Sequence, residues 1–189
     1  MIATAGLDFT AVAEALRRIT VEITGDGGAL GSGVLWRRGL LVTNAHVVHA
    51  TRVAVRLVDG VRVEARLLAR DRDADLAVLR IPGSGLPAVT LAGPAAARVG
   101  SLVLAVGHPF GVRGALTAGI IHAIAPIVPG GPPWIQADVR LAPGNSGGPL
   151  ADGGGAVVGI NAMVTGGLAL AVPIARVVDF VRAVGAEAP

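Results

Sequence analysis

Short apolar runs of strand length, cut by glycine and proline, constrain this chain more than any other feature. They fall at 19–23, 33–36, 40–43, 52–58, 61–68, 76–81, 101–106, 115–124, 134–137, 157–162 and 168–172. Runs this short, at this spacing, predict an all-β sandwich or barrel. Asp59-Gly60 between 52–58 and 61–68 is a strong hairpin signal. Arg52, Ala54 and Arg56 alternate there with Val53, Val55 and Leu57, as in a sheet with one solvated face. Helical spacing appears only at the ends. Over 8–18, Val12, Ala15, Leu16 and Ile19 fall near one face, and Pro173 introduces a second helix over 174–184. The stretch 91–99, with Gly93, Pro94 and four alanines, is the best linker. It divides the strands of one domain into halves of similar size, over about 19–92 and about 99–172, with the C-terminal helix following.

Composition narrows the function classes. Of 189 residues, 52% are hydrophobic and 15% charged, so a core is available and disorder is excluded. The net charge of +3 is unclustered and aromatics are only 3%, which argues against nucleic-acid binding. No cysteine means no disulfide framework and no thiolate metal site. The uncharged stretches 114–137 and 153–175 are crossed by Gly, Pro, His or Asn, and read as buried strand pairs, not membrane spans. No basic region precedes an apolar run at the N-terminus, which leans the chain as written to the cytoplasm. A trimmed N-terminus would reverse that reading.

The chemistry centres on Gly144-Asn145-Ser146-Gly147-Gly148, a G-x-S-x-G pattern. A serine nucleophile needs an imidazole to take its proton, and the imidazole needs a carboxylate to hold its tautomer. The four histidines, His46, His49, His108 and His122, all precede Ser146. The order Ser–acid–His is therefore impossible, and His–Asp–Ser remains. His46 closes an apolar strand, where a side chain can enter a cleft. His49 lacks that setting, and without H-E-x-x-H or cysteine the pair is no metal site. His108 and His122 read as packing or loop residues. Among carboxylates, Asp71 and Asp73 alternate with arginines in a polar turn, whereas Asp75 heads the apolar run 76–79. Asp75 is thus the acid carried into the interior, where an imidazole N–H can satisfy it. Asp138 is the outsider. The N–H groups of Gly144 and Ser146 can converge as an oxyanion hole if the turn is tight.

These pieces, with Gly31-Ser32-Gly33, Gly107-His108-Pro109-Phe110-Gly111, Thr117-Ala118-Gly119, Gly159-Ile160-Asn161 and Ala171-Val172-Pro173, occur in the order seen in HtrA/Deg proteases. The chain therefore resembles the HtrA/Deg branch of trypsin-like serine proteases from about 31 to 174. That resemblance implies two perpendicular β-barrels of the chymotrypsin fold with the triad between them. It carries over His46 as general base, Asp75 as its orienter and Ser146 as nucleophile. The family usually appends a PDZ domain, and this sequence stops at Pro189 after the second helix, as a stand-alone or a trimmed protease domain would. The loops at 37–39 and 162–167 are short. Asn145 cannot form the ion pair with a new N-terminus that an aspartate makes in activated trypsins, which argues against that mode of activation.

By the same resemblance, the pocket for the residue before the scissile bond is lined around Arg140, Leu141, Asn161 and Met163. A mostly apolar lining favours a small or medium aliphatic side chain. Arg140, if it points inward, would favour an acidic one. The function expected is a serine endopeptidase without cofactor or metal, acting on polypeptides, unfolded proteins among them. The rival is a protease-like peptide-binding or chaperone module whose site is not assembled.

Overall fold

The computed structural model describes residues 8–25, 28–37, 39–83, 85–93 and 95–185. Arg38 and Pro94, of the short loop and the linker named above, lie outside them. Twelve strands form two closed antiparallel barrels of the same topology. In the first, β1 (Thr20–Gly25), β2 (Gly28–Leu35), β3 (Leu40–Thr43), β4 (Arg52–Arg56), β5 (Arg62–Asp71) and β6 (Leu76–Arg80) close in the order 1-2-3-6-5-4. In the second, β7 (Leu102–Gly107), β8 (Ala115–Pro126), β9 (Pro133–Ala137), β10 (Pro149–Asp152), β11 (Val157–Thr165) and β12 (Leu168–Pro173) repeat it as 7-8-9-12-11-10. Closure removes every free sheet edge.

The helices α1 (Phe9–Ile19) and α2 (Ile174–Ala183) each touch both barrels: α1 packs on β1 and β7, α2 on β11, β12 and β6. Asp8 caps α1 by accepting from the N–H of Thr10 at 3.0 Å and of Ala11 at 3.2 Å. Ala13 rather than Ala15 completes its buried face with Leu16 and Ile19. One apolar cluster runs from the first barrel across the joint, through Leu79, Val106, Ile160 and Val177.

The structure departs from the sequence reading in five places. β2 begins well before 33, through Gly31 and Gly33, because those glycines let other groups approach. A Cβ on Gly31 would lie 2.8 Å from Val47 and 2.9 Å from the carbonyl oxygen of Ser146. β10 carries no strand signal in the sequence, since four residues starting at a proline show too little alternation. β11 extends to Thr165 and turns to Leu168 through Gly166 and Gly167, both at positive φ (55° and 83°), as a two-residue hairpin demands. The stretch 114–137 is less buried than expected: Ile120 and Ile124 on β8 are exposed. Leu91, at the start of the expected linker, bridges to Val157 of β11. No helix among the described residues is long and apolar enough to cross a membrane.

Candidate active site

Buried β3 runs into the fully buried Asn44, and a single 3-10 turn, Ala45–Val47, then lifts His46 to the surface of the joint. Thr43 Oγ1 donates to the Ser32 carbonyl at 2.7 Å, and Asn44 Nδ2 donates to the Asp75 carbonyl at 2.9 Å. The second bond fixes the residue that must face the imidazole. Asp75 has φ 53°, in the left-handed region that Asp tolerates better than most residues. The turn before it is shaped by Asp71, whose carboxylate accepts from Asp73 N at 2.9 Å and Ala74 N at 2.8 Å. Asp71 is therefore occupied, Asp73 is exposed, and Asp138 is exposed in the other barrel.

His46 Nδ1 lies 3.0 Å and 2.8 Å from the two carboxylate oxygens of Asp75, and the His46 backbone N–H donates to Oδ1 at 3.1 Å. Between two carboxylate oxygens Nδ1 carries the proton, so in the neutral ring Nε2 is an open acceptor. The Asp75 side chain is only 12% exposed, the imidazole 47%.

Ser146 faces the same cleft from the second barrel. Its Oγ donates to the Ala162 carbonyl at 2.6 Å, not to His46. The hydroxyl is thus bonded within its own barrel, on the cavity that His46 also lines. Around it the loop is held by both barrels: Ser32 N–H donates to the Ser146 carbonyl at 2.8 Å and Gly147 N–H to the Asn161 carbonyl at 2.8 Å. Phe110 N–H donates to the Pro143 carbonyl at 3.0 Å. Because the peptide is trans, that bond turns the Gly144 N–H the opposite way. Among the described residues, neither the Gly144 N–H nor the Ser146 N–H has an intramolecular acceptor. Two unspent donors beside a hydroxyl are what an oxyanion hole requires.

The Gly144 carbonyl is fixed just as firmly, by Ser32 Oγ at 2.7 Å and His108 N–H at 3.2 Å. With φ 107°, Gly144 sits where a Cβ would collide with the His108 carbonyl. Ser32 has one proton, given to Gly144, so His108 Nδ1, 3.1 Å from Ser32 Oγ, must be the donor to it. Nothing in the local sequence links Ser32 to Gly144. A serine inside Gly-Ser-Gly was the one available hint.

His46, Leu141, Pro143, Ser146, Ala162 and Met163 line one cavity of about 540 Å³. Two of the four expected pocket residues, Leu141 and Met163, are there. Asn161 is not: it is fully buried and its Nδ2 donates to the Pro149 carbonyl at 2.9 Å, so it supports the loop from behind. Arg140 is exposed and lines a neighbouring hollow with Phe110 and Asp138. His49 is exposed beside Arg70 and Arg72, and His122 is exposed on β8.

Residues 31–160 match the family model described as trypsin-like peptidase domain. The chain belongs to the trypsin-like peptidase family. It is 42% identical over 161 residues to a probable periplasmic serine endoprotease DegP-like of Halomonas elongata, an alignment covering 80% of this chain and 34% of that protein. A protein of the same description from Ectopseudomonas mendocina is 44% identical over 140 residues, covering 72% of this chain and 30% of that one. The chain thus spans about a third of the length of these curated relatives. Among solved structures, the HtrA-type protease AlgW with decapeptide superposes with a TM-score of 0.86 at 28% identity, covering 93% of this chain and 67% of that one. AlgW S227A with tripeptide gives 0.82 at 34% identity, over 92% and 62%. The two barrels are those of this trypsin-like family.

Within that frame His108 has an unusual setting. Burial, and then the charge of Arg113, lower its pKa from 6.5 to about 4. Between those values the unfolded chain holds a proton on this ring that the folded chain does not. Stability from this group is therefore full above about pH 6.5 and falls as the pH drops toward 4. Denaturation midpoints should show a loss of about 2 kcal/mol from this group between roughly pH 7 and 5. His108→Gln should flatten that part of the profile. An unchanged profile would sink the assignment.

Proposed function

We propose that this chain is a serine endopeptidase domain that cleaves polypeptides through an acyl-enzyme on Ser146. The observation that carries the reading is the Asp75–His46 pair opening on the same cavity as Ser146 Oγ and two unspent N–H donors. The Ser146 hydroxyl turns from the Ala162 carbonyl to His46 Nε2, which takes its proton as Oγ bonds to the scissile carbonyl carbon. The carbonyl oxygen becomes an oxyanion received by the Gly144 and Ser146 N–H groups. Asp75 holds the imidazolium, which passes the proton to the leaving amine. Water then repeats the cycle on the acyl-enzyme, with His46 acting again as base and then as acid.

The cavity beside Ser146 is lined by aliphatic groups of Leu141, Pro143, Ala162 and Met163, which supports a preference for a small or medium aliphatic residue before the cleaved bond. Arg140 lies outside that lining, which weakens the acidic alternative. The Ser146–Ala162 hydrogen bond favours a second reading, a peptide-binding module whose nucleophile stays parked. Digestion of an unfolded protein substrate, with cleavage sites mapped by mass spectrometry, separates these. The expected result is cleavage after Ala, Val, Leu or Ile, in a pattern that Arg140→Ala does not change. Cleavage after acidic residues that disappears in Arg140→Ala would overturn the pocket assignment. No cleavage, together with no fluorophosphonate labelling of the folded chain, would leave the binding module standing.

A further inference from the structure

A separate cavity of about 250 Å³, sharing no lining residue with the cleft, lies where the end of α1 meets the end of β4 and the turn after β7. Arg17, Arg56 and Arg113 line it, together with Thr20 and the buried His108. Three arginines thus line one small hollow, where like charges repel unless an anion offsets them.

The compensation available within the chain is thin. Arg56 Nε sits 3.4 Å from Glu22 Oε2, close enough to attract, yet neither atom has a hydrogen-bond partner although both are buried. Arg17 Nε donates to the Gly114 carbonyl at 2.7 Å, which fixes the guanidinium but supplies no negative charge. The stem of Arg17 crosses Gly114 so closely that a Cβ there would lie 3.0 Å from Arg17 Cγ. Among the described residues, no carboxylate lies within ion-pair distance of Arg17 or Arg113. His108 contributes no compensation either: its pKa is lowered to about 4, by burial and then by Arg113, so the ring is neutral at physiological pH. Among the described residues, then, three arginines line this hollow and one carboxylate, that of Glu22, lies beside one of them.

We propose that this cavity binds a small oxyanion of the phosphate class, held by the guanidinium forks of Arg17, Arg56 and Arg113. Guanidinium forks match tetrahedral oxyanions through paired, charge-assisted hydrogen bonds, and here Arg17 is pre-positioned by its bond to Gly114. A volume of about 250 Å³ accommodates a free phosphate or a small monoester. The site reaches the nucleophile loop through one side chain, since His108 also contacts Ser32, which holds the Gly144 carbonyl.

The test is binding to the whole chain, measured without reference to peptidase activity. Thermal midpoints are followed against sodium phosphate, glycerol 3-phosphate and sodium chloride at matched ionic strength. A saturable rise with either phosphate compound, absent with chloride, supports the site. A response to inorganic phosphate alone assigns the free ion, and one to glycerol 3-phosphate alone assigns a monoester. Arg113 is exposed, so Arg113→Gln should fold normally and weaken binding about tenfold or more. A ring-proton NMR titration gives an independent readout: bound phosphate should raise the His108 pKa from about 4, because its charge opposes that of Arg113. Midpoints that follow phosphate no differently from chloride, or an Arg113→Gln chain that responds as the wild type does, would overturn the proposal.

Discussion

Ser146→Ala is expected to lower turnover of a peptide substrate by about 10⁶-fold while leaving the fold intact. The substitution deletes one oxygen whose hydrogen bond among the described residues is to the Ala162 carbonyl, and the backbone bonds that hold the loop do not involve it. What remains is the residual stabilisation offered by the Gly144 and Ser146 N–H groups, which acts on a water attack as well. Initial rates on a fluorogenic peptide measure the loss, and fluorophosphonate labelling should vanish with it. His46→Ala should fall by a similar factor. The two losses should not multiply in the double variant, because base and nucleophile act as one unit. A Ser146→Ala chain that retains more than a small fraction of activity would falsify the acyl-enzyme route.

The second large effect is at Asp75. Asp75→Asn should lower turnover by about 10⁴-fold. Asparagine offers an N–H where Asp75 offers an oxygen to His46 Nδ1, at 2.8 Å. It can then favour the tautomer protonated on Nε2, which faces the serine as a donor and cannot take its proton. It also removes the charge that steadies the imidazolium. Asn is the informative substitution because it tolerates the left-handed backbone, φ 53°, that this position adopts. Thermal unfolding should therefore change little while the rate collapses. A loss below about tenfold would mean that Asp75 does not orient the base.

Much of this arrangement was legible in the chain. The position of all four histidines before Ser146 left a single order for a triad, and Asp75 could be told from Asp71 and Asp73 because it heads a buried strand. The short, punctuated runs led only as far as an all-β sandwich or barrel, and the resemblance to HtrA/Deg proteases was what implied two barrels. What could not be read were contacts between distant segments of chain. Ser32 Oγ meets the Gly144 carbonyl across 112 positions, and Phe110 N–H reaches Pro143 between a turn and a loop that share no pattern. The inward turn of Asn161 toward Pro149 was hidden for another reason: a polar residue in an apolar strand looks the same whether it faces a pocket or a backbone carbonyl. β10 escaped because its pairing with β7 and β11, not its own four residues, makes it a strand.

The stitching of Ser146 to the opposite barrel has a mechanical consequence. Ser32, in β2, grips the 144–147 segment by its N–H to Ser146 and by its hydroxyl to Gly144, while Gly147 is pressed against the Ser32 carbonyl. A clam-shell motion that swung the two barrels apart would tear the reactive loop from its moorings before it widened the cleft. Freeing that loop while the two halves stay shut would require breaking only the few peptide hydrogen bonds at the seam.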